Sequence, residues 1–311
     1  MYQIGILGCG AMGCLYGTAL TEDADNAVTF IDRRPERVDF FNRNGVTVRE
    51  NGVARHFRVR SILGRTAPPE AFDFVLVTVK AHQTETAVRE NAALFAPNTV
   101  IISLQNGLGN LEIISKLCPD SPLVAGISNH NSTLLAPGEI LHPSAGAQTL
   151  AGGLTASGRA AAQKTAAVFR KSGLGLTVVE DIRREIWRKL LINCAINPIT
   201  ALSNQCNGFL VSDPAARREA SEIMREGIAA AAAEGVIFSG EKMLEHLEKV
   251  CRATAGGKSS MLQDILTGRR TEIDFINGAV AAVARRHGLP ADANRSAADR
   301  IHRLEQTRNC R

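Results

Sequence analysis

Short apolar, β-branched runs alternate with longer amphipathic stretches through the first 180 residues of the chain. This pattern predicts strands at 2–7, 27–31, 73–79 (Asp73-Phe74-Val75-Leu76-Val77-Thr78-Val79) and 99–103, with others around 122–128, 138–142 and 174–179. Helices are predicted at 11–21, 35–43, 81–95, 107–117 and 157–172. Such alternation is the signature of a doubly wound parallel sheet, since parallel neighbours need a crossover and a helix usually supplies it. Between 45 and 63, period-two alternation in Val46-Thr47-Val48 and Phe57-Arg58-Val59-Arg60 brackets Asn51-Gly52, which predicts a hairpin inserted in the sheet region. Past about residue 180 the texture changes. Alanine-rich amphipathic segments take over at 183–203, 212–235, 240–254, 259–267, 272–287 and 291–307. Gly235, Gly240, Gly268 and Gly288 mark breaks between several of them. The expected fold class is α/β: a doubly wound sheet over 1–180, followed by an all-helical domain over 181–311.

The first strand runs straight into Gly8-Cys9-Gly10-Ala11-Met12-Gly13, and a helix-forming run continues to Leu20. Strand, G-x-G-x-x-G, helix is the order of a dinucleotide phosphate-binding turn. Gly8 permits the tight turn, Gly10 lets backbone approach a pyrophosphate, and Gly13 lets helix pack close on strand. The N–H groups that open the helix then face the anion. Cys9, Ala11 and Met12 complete the segment as cofactor-binding candidates. Asp32 closes the second strand, near the ribose-binding spacing of about 20 residues. A glycine turn of purely structural purpose is the competing reading; the flanking strand, helix and acid weigh against it.

Composition narrows the class. The chain has 311 residues, 45% hydrophobic and 22% charged, which is the balance of an ordinary globular protein with room for a large core. No apolar run reaches the roughly 18 residues of a membrane span, and the N-terminus lacks a basic n-region and cleavage site. The cysteines (9, 14, 118, 194, 206, 251 and 310) are scattered with no C-x-x-C pair, which suggests reduced thiols in a cytoplasmic protein and no metal site. The net charge of +5 is dispersed among acids. Nucleic-acid binding is therefore not expected, while a basic pocket for a small anion is compatible.

Polar residues in apolar surroundings supply the candidate chemistry. Lys80 follows the strand over 73–79, at the strand end where open α/β sheets bind ligands; a solvated surface lysine is the alternative. Asn106, in Ser103-Leu104-Gln105-Asn106-Gly107-Leu108-Gly109, either donates to a substrate oxygen or shapes the turn before Gly107. Lys189, Asn193 and Asn197 recur every four residues in Trp187-Arg188-Lys189-Leu190-Leu191-Ile192-Asn193-Cys194-Ala195-Ile196-Asn197-Pro198 and so share one stripe of a helix. Burying a lysine and two amides demands partners in protein or ligand. A desolvated lysine also has a lowered pKa and can donate a proton near neutrality; an interdomain polar contact is the alternative. Ser260 lies at a predicted helix start, with Gln263 spaced as a capping-box partner, and Glu272 is expected in the first turn of the following helix.

Together these segments resemble the ketopantoate reductase family (2-dehydropantoate 2-reductase) over nearly the whole chain. The resemblance rests on the glycine turn, Val77-Thr78-Val79-Lys80, Gln105-Asn106-Gly107, Trp187-Arg188-Lys189 through Asn197-Pro198, and Ser259-Ser260-Met261-Leu262-Gln263-Asp264 with Thr271-Glu272-Ile273-Asp274. It implies a Rossmann domain followed by a helical domain like that of 6-phosphogluconate dehydrogenase. It also implies that NADPH delivers hydride to the C2 ketone of ketopantoate, a small 2-oxo acid. Lys189 then matches the proton donor and Glu272 a residue touching cofactor and substrate. Asn193, Asn197, Asn207 and Ser260 match substrate-binding positions, and Lys80 and Asn106 line cofactor and cleft. Arg33 matches the residue that pairs with the 2′-phosphate, with Arg34 beside it. Asp32 departs from this pattern, because an acid there normally holds the ribose of NAD and leaves NADH open. Ile127-Ser128-Asn129-His130-Asn131-Ser132 departs too, from a threonine- and alanine-rich form. A homodimer is compatible with the resemblance. Two other readings stay open: a sister reductase of another branched or bulky 2-oxo acid, and a nucleotide sensor that has lost catalysis. Intact Lys189 and Glu272 argue against the sensor.

Overall fold

The computed structural model describes residues 1–66, 72–143 and 147–309. The chain divides into two units, one formed by residues 1–105 and 110–182 and the other by 106–109 and 183–311.

The first unit contains β1 (Tyr2–Leu7), α1 (Ala11–Leu20), β2 (Asn26–Asp32), α2 (Pro35–Asn44), β3 (Val46–Glu50), β4 (Val53–Phe57), β5 (Arg60–Leu63) and β6 (Phe74–Val77). It continues through α3 (Thr84–Glu90), β7 (Val100–Ser103), α4 (Asn110–Leu117), β8 (Leu123–Ser128), β9 (Thr133–Ala136), β10 (Glu139–Leu141), β11 (Thr149–Gly152), α5 (Ala156–Phe169) and β12 (Leu176–Val178). Eight strands form one sheet in the order β12-β11-β8-β7-β6-β1-β2-β5. From β5 to β8 every pairing is parallel, and the order is that of a dinucleotide-binding sheet. β11 then adds antiparallel to β8. Alternate side chains of the central strands serve opposite faces: Ile4, Ile6, Phe74, Leu76 and Ile102 join one core cluster, and Leu7, Val75, Val77 and Ile101 the other. Burial on both faces explains why these strands read as continuous apolar runs.

The hairpin forms around Asn51-Gly52, whose φ values of 50° and 80° are the mirror-image turn that matches strand twist. Its second strand is Val53–Phe57, where the alternation had placed Phe57–Arg60. Arg60–Leu63 belongs instead to the large sheet, parallel to β2. The hairpin pairs through β3 with β10, making a separate sheet in the order β4-β3-β10-β9. The strand expected over 73–79 stops at Val77, and the helix expected over 81–95 is α3 flanked by 3-10 turns at Ala81–Gln83 and Ala92–Leu94.

The second unit is helical: α6 (Ile182–Ser203), α7 (Phe209–Ser212), α8 (Pro214–Ala233), α9 (Gly240–Ala253), α10 (Ser260–Leu266), α11 (Asn277–Arg286) and α12 (Asp292–Asn309). Its core gathers Trp187, Leu190, Leu191 and Cys194 of α6, Ile223 and Met224 of α8, Val280 of α11 and Ile301 of α12. The helix expected over 272–287 begins only at Asn277, after a 3-10 turn at Ile273–Phe275. Asp213 and Ser239 cap α8 and α9, accepting from Ala216 N and Lys242 N. Among the described residues no helix is long and apolar enough to cross a membrane, and no cluster of His, Cys, Asp or Glu could hold a metal ion. Six cysteines are free thiols, and Cys310 lies outside the described residues.

Candidate functional site

In the sheet unit the site is made by backbone. β1 and β6 are neighbours at the point where strand order reverses, and the segments leaving their carboxyl ends meet. Thr78 N donates to the Leu7 carbonyl at 2.9 Å, and Thr78 Oγ1 donates to the Gly8 carbonyl at 2.7 Å. Gly8 has φ +106°, and a Cβ there would lie 2.7 Å from Val79 N. A Cβ on Gly13 would fall 2.0 Å from the Gly8 carbonyl oxygen, so the helix can press on the turn only as glycine. Gly10 differs, because a Cβ there would meet nothing within 4 Å. That open space lies at the N-terminus of α1, which has no side-chain cap and no acid in its first turn. These are the features that fit a dinucleotide pyrophosphate.

Neighbouring side chains hold this turn in place. The Asp32 carboxylate, nearly buried at the end of β2, pairs with Arg37 Nε at 3.0 Å and accepts from Arg34 N at 3.1 Å. Arg37 also donates to the Cys9 carbonyl, and Ser132 Oγ donates to the Ala11 carbonyl at 3.2 Å. The Cys9 side chain itself is buried, and burial raises its thiol well above the usual range. Arg33 and Arg34 are both exposed. Lys80 is partly buried and precedes the 3-10 turn at Ala81–Gln83. Its loop is tied to the end of β7 by Gln105, which donates to the Val79 carbonyl at 2.9 Å and to Thr84 Oγ1 at 2.7 Å.

In the helical unit the site is made by side chains. Lys189, Asn193 and Asn197 all lie on α6, as their spacing requires. Burial pushes the Lys189 ammonium down from its usual 10.5 to about 8, and the Glu272 carboxylate opposes that shift. Glu272 is itself buried, and it precedes the 3-10 turn, where the first turn of a helix had been expected. Asn197 is buried too, and its Nδ2 has no hydrogen-bond partner among the described residues. Asn207 donates to Thr254 Oγ1 at 2.9 Å, its backbone N–H donates to the Gly257 carbonyl at 2.9 Å, and its buried Oδ1 has no partner among the described residues.

The cap of α10 is Ser259, not Ser260. Ser259 Oγ accepts from Leu262 N at 3.1 Å and shares a 2.7 Å hydrogen bond with Thr200 Oγ1, one turn beyond Asn197 on α6. This bond docks the start of α10 on the α6 stripe and leaves Ser260 exposed at the first helical position. Asn106 joins the same unit through its neighbours. Leu108 N donates to the Phe275 carbonyl at 2.9 Å, and a Cβ on Gly107 would sit 2.3 Å from that oxygen. Sequence reasoning gave no role to Arg37, Thr78, Ser132, Thr200 or Ser259. A basic residue five positions past Asp32 and a second serine before Ser260 are the signals available for Arg37 and Ser259.

The family model described as "Ketopantoate reductase PanE/ApbA" matches residues 4–154, and "Ketopantoate reductase PanE/ApbA C terminal" matches residues 181–305. A 2-dehydropantoate 2-reductase of Halobacterium salinarum is 32% identical, with 98% of this chain and 99% of that protein covered. Among solved structures, a D-mandelate dehydrogenase with NADH and anilino(oxo)acetate superposes with TM-score 0.93 at 26% identity, covering 99% of both chains. A PanE/ApbA family ketopantoate reductase from Ralstonia eutropha JMP134 gives TM-score 0.88 at 26% identity, also over 99% of each.

Proposed function

We propose that this chain, which belongs to the ketopantoate reductase family, reduces 2-dehydropantoate to pantoate with NADPH, a step of pantothenate and coenzyme A synthesis. The observation that carries the reading is Lys189 on α6, a helix that also carries two asparagines: desolvation lowers its pKa to about 8 against the opposing pull of the Glu272 carboxylate. When bound at the Gly8–Gly13 turn, the nicotinamide dinucleotide supplies the hydride. Lys189 supplies the proton to the C2 oxygen and stabilises the negative charge that develops there. Glu272 keeps the lysine protonated, since its carboxylate favours the ammonium form. Asn193, Asn197, Asn207 and Ser260 hold the substrate's carboxylate and hydroxyl, and the Nδ2 of Asn197, which has no partner among the described residues, is a donor suited to it. Lys80, Arg33 and Asn106 complete the cofactor contacts. Cytoplasmic residence and a homodimer belong to the same proposal, and sedimentation of the purified chain tests the dimer.

A second reading is favoured by the close superposition on a D-mandelate dehydrogenase: an NADH-linked reductase of an aryl 2-oxo acid. Steady-state reduction of a panel of 2-oxo acids, followed by loss of the reduced nicotinamide absorbance, decides between them. Ketopantoate is expected to give the highest kcat/KM. An aryl 2-oxo acid better by tenfold or more, about 1.4 kcal/mol at the transition state, would hand the function to the second reading.

A further inference from the structure

α6 contains a proline in its interior, Pro198. In an α-helix the N–H of residue 198 would bond to the carbonyl of Cys194. Proline has no N–H, and its ring presses on that same carbonyl. Cys194 is fully buried in the helical core, so an unanswered carbonyl there would be costly. Asn277, the first residue of α11 and itself fully buried, answers it: its Nδ2 donates to the Cys194 carbonyl at 3.1 Å.

The orientation of that carboxamide is fixed by what surrounds it. Its second N–H donates to Asn294 Oδ1 at 3.0 Å. Asn294 Nδ2 in turn faces two acceptors, the Ile223 carbonyl at 3.0 Å and Glu226 Oε2 at 2.9 Å. Glu226 also accepts from the backbone N–H groups of Ala293 and Asn294, each at 2.9 Å. Each step has an acceptor opposite a donor, so neither amide can flip without losing bonds. A buried relay thus runs from α8 through α12 and α11 to the one carbonyl of α6 that Pro198 leaves open.

We infer that Asn277 is a positioning residue for the polar stripe of α6. It supplies in trans the hydrogen bond that Pro198 withholds, and so fixes the helix where Asn193 and Asn197 flank the gap and Lys189 lies one turn before it. This rests on the reading of that stripe as the substrate-binding surface.

The pairing is tested by a double-mutant cycle of Asn277→Leu and Pro198→Ala on the full chain, read by kinetics and by thermal melting without substrate. Asn277→Leu is expected to lower kcat about tenfold while the KM for the dinucleotide stays within about twofold. Pro198→Ala restores an N–H that can bond to Cys194, so the double variant should recover most of the lost kcat and melt above Asn277→Leu. Strictly additive losses, in rate and in melting, overturn the inference, as does a folded Asn277→Leu with wild-type kcat. Should Asn277→Leu fail to fold, Asn277→Ser, with a hydroxyl too short to reach the carbonyl, takes its place in the cycle. If the wild type reduces no 2-oxo acid, the proposed function has failed, and the melting cycle alone still judges the pairing.

Discussion

The glycine turn of the sheet unit and the α6 stripe of the helical unit are candidate sites built by opposite means. The turn is built by leaving side chains out: Gly13 has no space for a Cβ, and Gly10 has space that the described residues leave open. The stripe works by setting polar side chains against an apolar core: Asn197 is buried with a donor unanswered among the described residues, and half-buried Lys189 has its pKa lowered to about 8 by desolvation. A backbone site depends on sterics within a few residues, so substitutions there should act on folding or on affinity. A side-chain site depends on desolvation and on partners far along the chain, so substitutions there should act on rate.

The largest effect is expected at Lys189. Lys189→Ala should lower kcat by roughly 100-fold or more, the range for loss of a general acid, with dinucleotide binding by fluorescence close to wild type. The proton donor must be charged to act, so wild-type kcat should fall as pH rises through about 8. A Lys189→Ala protein that melts early but retains its kcat in the folded fraction would reassign the lysine to structure.

The glycines should split by mechanism. Gly13→Ala places a Cβ 2.0 Å from the Gly8 carbonyl oxygen and 2.8 Å from Thr78 Oγ1. Such overpacking costs about 1–3 kcal/mol, visible as a lower melting temperature with or without dinucleotide. Gly10→Ala meets no atom within 4 Å, so the apo protein should melt near wild type while dinucleotide affinity drops about tenfold. Equal melting losses in the two variants would contradict the view that Gly10 is kept open for a ligand.

The same contrast governs how far the sequence could be read. The parallel strands, the Asn51-Gly52 turn and the spacing of Lys189, Asn193 and Asn197 are local patterns, and each appears in the structure where the sequence puts it. Readings that depended on a distant partner failed. The capping-box spacing of Ser260 and Gln263 offers Ser260 as a cap, yet Thr200 on another helix selects Ser259. Phe57–Arg60 reads as half of a hairpin, because nothing local announces that Arg60–Leu63 will pair with β2. Asn277 carried no visible role, since its purpose is set by a proline 79 positions earlier (277 less 198).

The smallest effect concerns the end of β2, where the backbone site borrows side chains. Asp32 would repel a 2′-phosphate, but its carboxylate is taken up by Arg37 Nε and the Arg34 N–H, while Arg33 and Arg34 remain exposed. A guanidinium there can make a charge-assisted pair with a phosphate, so NADPH is expected to be preferred over NADH. Arg33→Ala should raise the Kd for NADPH up to about tenfold, or about 1.4 kcal/mol, and leave that for NADH nearly unchanged. Arg37→Leu should act on the same balance from the other side, by releasing Asp32 to meet the ribose, and so shift preference toward NADH without lowering kcat with the preferred cofactor. The two variants therefore move the NADPH-to-NADH ratio in one direction by different routes. Wild-type kinetics in which NADH serves equally well, with Arg33→Ala indifferent to both cofactors, would show that Asp32 still governs the site despite Arg37.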